Sequence, residues 1–123
     1  MSDKAVGSIV WTDLTVDDAE AIRDFYARVV GLRPEPVDMG DYSDFNLLSE
    51  SGEPVAGVCH ARGSNQNLPP QWLVYFTVKD VDVASRRAVE LGGEIVDGPR
   101  DMGKRRFCVV RDPAGAVAAL ISQ

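Results

Sequence analysis

His60 is the single histidine of the chain, and Asp13 is a carboxylate placed inside the strand-like run VWTDLTV. Both are residue types that move protons. An imidazole changes charge near neutrality, and a carboxyl group sheltered from water has its acidity shifted. Asp13 follows Trp11 by two positions, so on a strand the two side chains share a face. A carboxylate beside an indole could serve as a general base or hold a cationic ligand; the competing reading pairs it with an arginine or leaves it in water. His60 would need partners to bind a metal, and no histidine or glutamate is spaced to supply them, although Glu53 is near in sequence. A structural or pocket-lining role is the expectation for it.

A second set of residues is aromatic or apolar. Tyr75 and Thr77 share strand parity with Leu73, and with Trp11 they would present a wall suited to a flat or hydrophobic ligand, unless they simply fill the interior. Trp72, Val74, Phe76 and Val78 have the opposite parity and should pack under the second helix. Phe45 and Phe107 fall on corresponding strands of an internal repeat; core packing is their default and ligand contact the alternative. Cys59 and Cys108 form no Cys-x-x-Cys pair and read as buried free thiols. The basic run PRDMGKRRF, with Arg100, Lys104, Arg105 and Arg106, reads as a solvated turn or as an anion-attracting rim. No nucleophile elbow, phosphate-binding loop or dinucleotide fingerprint is present in the sequence.

The elements that must position these residues come in two copies. WTDLTVDDAEAIRDFYARVVGL is echoed by LVYFTVKDVDVASRRAVELGG at an offset of about 62 residues. Each copy runs from a strand through an acidic turn into an amphipathic helix stopped by glycine. In the first copy Ile9–Val16 is the strand and Asp17 the helix cap, with Glu20 three positions on; Ile22, Phe25, Tyr26 and Val29 form the apolar line and Gly31 ends the helix. Strands follow at 33–37, confined to an edge by Pro34 and Pro36, at 42–49 and at 55–61. The turn-rich segment 62–71 is a linker. In the second copy a strand at 72–78 leads to a helix capped by Asp80, with Val81, Ala84, Ala88 and Leu91 inward, and then to strands at 94–96, 106–111 and 116–122. The fold class is therefore α+β, one domain over residues 1–123, with βαβββ modules at about 7–61 and 72–123.

Composition narrows the classes of partner. The chain has 123 residues, 45% apolar and 26% charged, which suits one domain with a sizeable core. A net charge of −6 disfavours nucleic acid. No apolar run is long enough to cross a bilayer, and the first residues lack the apolar core of a secretion signal, so a cytoplasmic location is expected.

The two helix-bearing segments quoted above, with the ending RDPAGAVAALI, resemble the vicinal oxygen chelate superfamily, which includes glyoxalase I, extradiol dioxygenases and bleomycin-resistance proteins. The likeness spans nearly the whole chain. It implies paired βαβββ modules forming a curved mixed sheet with a concave cleft, and commonly a homodimer. It also implies a metal site, with a His or Gln on the first strand of each module and a Glu on the last. Those places are matched here by Trp11, Leu73, Ala119 and a position near Ala56. Indole, isobutyl and methyl groups carry no lone pair for such a cation, so no metal and no cofactor is expected.

The expected function is that of a metal-independent small-molecule binding protein of the glyoxalase/bleomycin-resistance type, holding a hydrophobic or aromatic ligand. Its candidate ligand-binding residues are Trp11, Asp13, Phe45, His60, Leu73, Tyr75 and Phe107. The alternatives are a divergent metal-dependent lyase or dioxygenase, a metal-free acid/base enzyme using Asp13, and a dimeric interaction module whose cleft is filled by side chains.

Overall fold

The structure, a computed structural model, describes residues 5–122. Its order is β1 (Ile9–Val16), α1 (Ala19–Val30), β2 (Arg33–Asp38), β3 (Ser43–Leu48), β4 (Pro54–His60), β5 (Trp72–Val78), α2 (Val81–Glu90), β6 (Glu94–Met102), β7 (Arg105–Arg111) and β8 (Val117–Ser122). The βαβββ pattern thus occurs twice. A single 3-10 turn, Gly63–Asn65, lies in the segment between the copies.

Two compact units result, one of residues 12–72 and the other of residues up to 11 together with 73 onward. In the first unit β1 runs parallel to β4, β4 is antiparallel to β3, and β3 to β2, which takes the edge as its prolines require. In the second, β5 is parallel to β8, and β8, β7 and β6 follow antiparallel. The start of the chain joins this second unit: Gly7 N–H donates to the Thr77 carbonyl at 2.7 Å, and Thr77 N–H to the Ser8 carbonyl at 2.9 Å.

The core of the first unit is Ala19, Phe45, Leu47 and Val58, with Val16, Ile22, Tyr26, Leu32 and Trp72 packed against it. Trp72 corrects the parity expectation. It lies against α1, not α2: its Nε1–H donates to Tyr26 Oη at 3.1 Å and the rings meet edge to face at 5.0 Å. As the first residue of β5 it still belongs to the chain that closes the first unit. The inward stripe of α1 is also narrower than its apolar spacing suggests, because Phe25 and Val29 are exposed. Its cap is Asp18, which accepts from Ala21 N–H at 3.1 Å, one residue later than Asp17. Gly31 ends the helix with φ 87°, a left-handed angle that suits a residue without Cβ.

In the second unit Asp80 caps α2 as expected, accepting from Val83 N–H at 3.0 Å. Val81 and Ser85 are the buried positions of α2, while Leu91 lies past its end and is exposed. Ser85 tolerates burial because its hydroxyl donates to the Asp82 carbonyl at 2.8 Å. The strand expected at 94–96 extends to Met102, with register shifts between Ile95 and Asp97 and between Asp97 and Arg100. Gly98 and Pro99 sit inside that irregular stretch, which is how an edge strand accommodates them.

Candidate functional site

The β1–β4 and β3–β4 registers sort the first unit into two faces. Val58 pairs with Leu14 and Phe45, and this face carries the core under α1. The other parity sets Asp13 beside Gly57, Gly57 beside Asn46, and Thr15 beside Cys59. Continuing the β3–β4 register by one residue places Asp44 opposite Cys59. The face turned away from α1 is therefore polar. Burial, followed by the charges of Asp13 and Asp44, pushes the Cys59 thiol well above the ordinary thiol range.

At the end of β4 Asp44 meets His60, which shares the parity of Val58. Asp44 Oδ1 accepts the His60 backbone N–H at 2.8 Å and lies 3.1 Å from His60 Nδ1. The Asp44 side chain is nearly sealed, at 8% exposure, and that of His60 retains 16%. The imidazole also meets the rings of Tyr42, edge to face at 5.4 Å, and Phe45, at 6.2 Å. Arg62 lies over Tyr42 at 3.9 Å and reaches Asp41 at 3.6 Å. Phe45 is a core residue before anything else, with the guanidinium of Arg23 over its ring at 4.6 Å. Asp44 was not among the sequence candidates. The available signal was a carboxylate inside an apolar strand, YSDFNLL, where pairing rarely favours Asp.

The second unit has the opposite character. Arg106 of β7 reaches α2, giving Asp82 two hydrogen bonds at 2.7 and 3.0 Å. The next residue, Phe107, therefore faces away from α2. Its partner Ile121, with Ala119 and Tyr75, lies on the same side by register. Tyr75 stacks on Phe107 at 5.7 Å and 29° between planes. Leu73, Tyr75 and Phe107 are buried, whereas Trp11 keeps part of its surface. Arg100 lies over Phe107 at 4.7 Å while its Nη2 donates to Asp97 at 2.9 Å. Within the basic run, then, Arg100 is engaged by Asp97, and Arg106 by Asp82 and Asp101. Phe45 and Phe107, expected to correspond, lie on opposite faces of their modules: Phe45 pairs with Val58 under α1, and Phe107 turns from α2.

Residues 8–120 match the family described as Glyoxalase/Bleomycin resistance protein/Dioxygenase superfamily. The chain belongs to this superfamily. Among similar proteins, the anthracycline biosynthesis protein DnrV of Streptomyces peucetius is 37% identical over 110 residues, covering 89% of this chain and 39% of DnrV. The chain thus spans about two fifths of the length of the curated relatives it matches. A superfamily member from Vibrio splendidus 12B01 is 13% identical with TM-score 0.61, covering 94% of this chain and 100% of that one. Methylmalonyl-CoA epimerase from Mycobacterium tuberculosis is 16% identical with TM-score 0.54, covering 99% and 92%. These two likenesses concern the fold, which is the α+β arrangement of paired βαβββ modules.

The superfamily's enzymes imply a metal, and the residues present do not fit one. The matching places hold Trp11, Leu73 and Ala119, and the register moves the fourth from near Ala56 to Gly57, which pairs with Asp13 as Ala119 pairs with Tyr75. None offers a side-chain donor atom, and Leu73 and Ala119 are buried at 4% and 0% exposure. Among the described residues no group of three or more His, Cys, Asp and Glu is arranged to hold a metal ion. His60 instead turns its Nδ1 to Asp44.

Proposed function

We propose that this chain is a metal-independent binding domain for a hydrophobic or aromatic small molecule. The observation that carries the reading is the absence of donor side chains at the four family positions, held here by Trp11, Leu73, Ala119 and, near Ala56, Gly57. Without a coordinated cation, capture rests on apolar contact and a few aimed polar groups. Leu73, Tyr75 and Phe107 supply a rigid backing, since stacked and buried rings lose little entropy when a ligand arrives. The half-buried Trp11 and Arg100, in the same unit, offer the surface for contact. The name of DnrV ties that protein to anthracycline biosynthesis, and anthracyclines are polycyclic aromatic compounds. This supports an aromatic ligand here.

Thermal denaturation tests the reading, because a ligand selective for the native state raises the midpoint. Doxorubicin or a dihydroxyanthraquinone at saturation should raise it by about 5 °C or more, with a smaller rise in Trp11→Ala. Manganese, nickel and zinc salts should leave it unchanged. A midpoint raised by one metal ion bound per chain, with no response to the aromatic probes, would defeat the proposal. No helix among the described residues is long and apolar enough to cross a membrane.

A further inference from the structure

We propose that Asp44 and His60 form a proton-accepting site, in which His60 Nε2 takes the proton of a weakly acidic hydroxyl, phenolic or enolic, on a planar ligand. The inference stands apart from the capture proposed above, because it rests on the first unit and on one pair of side chains.

A carboxylate oxygen can only accept, so the Nδ1 that faces Asp44 Oδ1 at 3.1 Å carries the hydrogen. The same oxygen accepts the His60 backbone N–H at 2.8 Å, which fixes the carboxylate against the strand that bears the imidazole. One tautomer of the neutral ring follows, with the lone pair on Nε2. Nε2 has no protein partner among the described residues. Nor is it sealed: among those residues the only side-chain N or O atom both closed to solvent and unpartnered is Thr12 Oγ1. An oriented imidazole with an open, unpaired acceptor is the arrangement that general-base chemistry needs.

The surroundings favour a flat ligand. The rings of Tyr42 and Phe45 both lie beside the imidazole, and Arg62 covers Tyr42. The ionisable groups around the pair are Asp44 from β3, Cys59 and Asp13 on the polar face, and Tyr42, Asp41 and Arg62 beside the ring. In the step itself the hydroxyl O–H bond breaks and leaves its electron pair on oxygen. An N–H bond forms at Nε2, and the imidazolium is stabilised by the Asp44 carboxylate. On release the proton returns to the ligand, so no oxidant or co-reactant is needed. His60 is the group that touches the ligand, and Asp44 is a positioning residue.

Because His60 is the only histidine, nitrogen-15 labelling of histidine gives one ring spin system. In the neutral ring Nδ1 should be protonated and Nε2 bare. In Asp44→Asn this tautomer preference should fade while the dispersion of backbone amides is retained. The opposite tautomer in the unsubstituted protein overturns the proposal, whatever the variant does. The second measurement uses para-nitrophenol, whose phenolate absorbs visible light. Bound to the protein, its apparent pKa should fall by about one unit, a tenfold gain in ionised probe at a given pH. His60→Gln should return it to the free value. Absence of binding at millimolar probe, binding without spectral change, or a shift that survives His60→Gln each overturns the proposal. A flat thermal response to polycyclic probes would instead remove the capture reading and leave this one standing.

Discussion

Cys108 is fully buried in β7, and burial, with smaller contributions from Asp97 and Asp82, pushes its thiol up to about 11 from an ordinary value of 9.0. Cys59 is raised further, chiefly by burial and then by Asp13 and Asp44. The thiolate is the reactive form, so neither cysteine should reduce Ellman's reagent in the native protein at about pH 8, and both should do so once denaturant is added. The linkage has a definite sign. A folded value above the unfolded one means that the fold favours the neutral thiol, so this contribution to stability is intact below pH 9.0 and declines as pH rises towards about 11. Urea midpoints measured across that window should fall in the native protein and fall less steeply in Cys108→Ala. The sequence made both thiols legible as free cysteines of apolar strands; Cys108 is buried as expected, whereas Cys59 is only partly so. The sequence also marked Asp13 as the carboxylate to watch and His60 as a structural or pocket-lining residue, yet gave no sign of the Asp44–His60 contact. That contact depends on the β3–β4 register, and period-two patterning identifies a strand's faces without fixing which residue of the next strand it meets.

The helices were readable because their boundaries are chemical. Aspartates, glycines and a helical apolar period mark both, and Asp80 caps α2 as the residue types dictate. The first cap slipped by one residue because Asp17 and Asp18 are adjacent and either could serve; the hydrogen bond to Ala21 N–H selects Asp18. Asp18→Ala should therefore cost about 1 kcal/mol in chemical denaturation and Asp17→Ala close to nothing, and equal costs would mean a shared cap. Edge strands were less readable. β6 was expected to stop at Val96, since Gly98 and Pro99 are poor strand residues, yet it continues through register shifts to Met102. Gly98 sits there with φ 83°, and a Cβ would lie 2.8 Å from the Phe107 carbonyl oxygen. Gly98→Ala combines left-handed strain with a backbone clash, and a loss of about 2 kcal/mol or more is expected from its urea midpoint. Gly103→Ala, where a Cβ meets nothing within 4 Å, gives the strain alone and should cost less.

At the scale of the molecule the repeat announced the architecture, since two strand–helix openings of similar pattern can form only a duplicated α+β unit within this length. What duplication hides is divergence. The face turned from α1 carries Asp13, Asp44, Asn46 and Cys59, and the face turned from α2 carries Tyr75, Phe107, Ala119 and Ile121. One copy is polar on this face and the other oily, a difference invisible until register assigns each residue its side. The borders also moved. Ser8 bonds to Thr77 in one unit, and Trp72 bonds to Tyr26 in the other. Severing the polypeptide anywhere in the 62–71 stretch would hand each half a piece that its sibling needs. Either fragment expressed alone should give a collapsed amide spectrum, and mixing the two should restore native dispersion. A half that folded unaided would refute this reciprocity. The seam of the sequence repeat and the seam of the folded units do not coincide, so the two halves are mutual hostages, and one copy could not be recovered by trimming this chain.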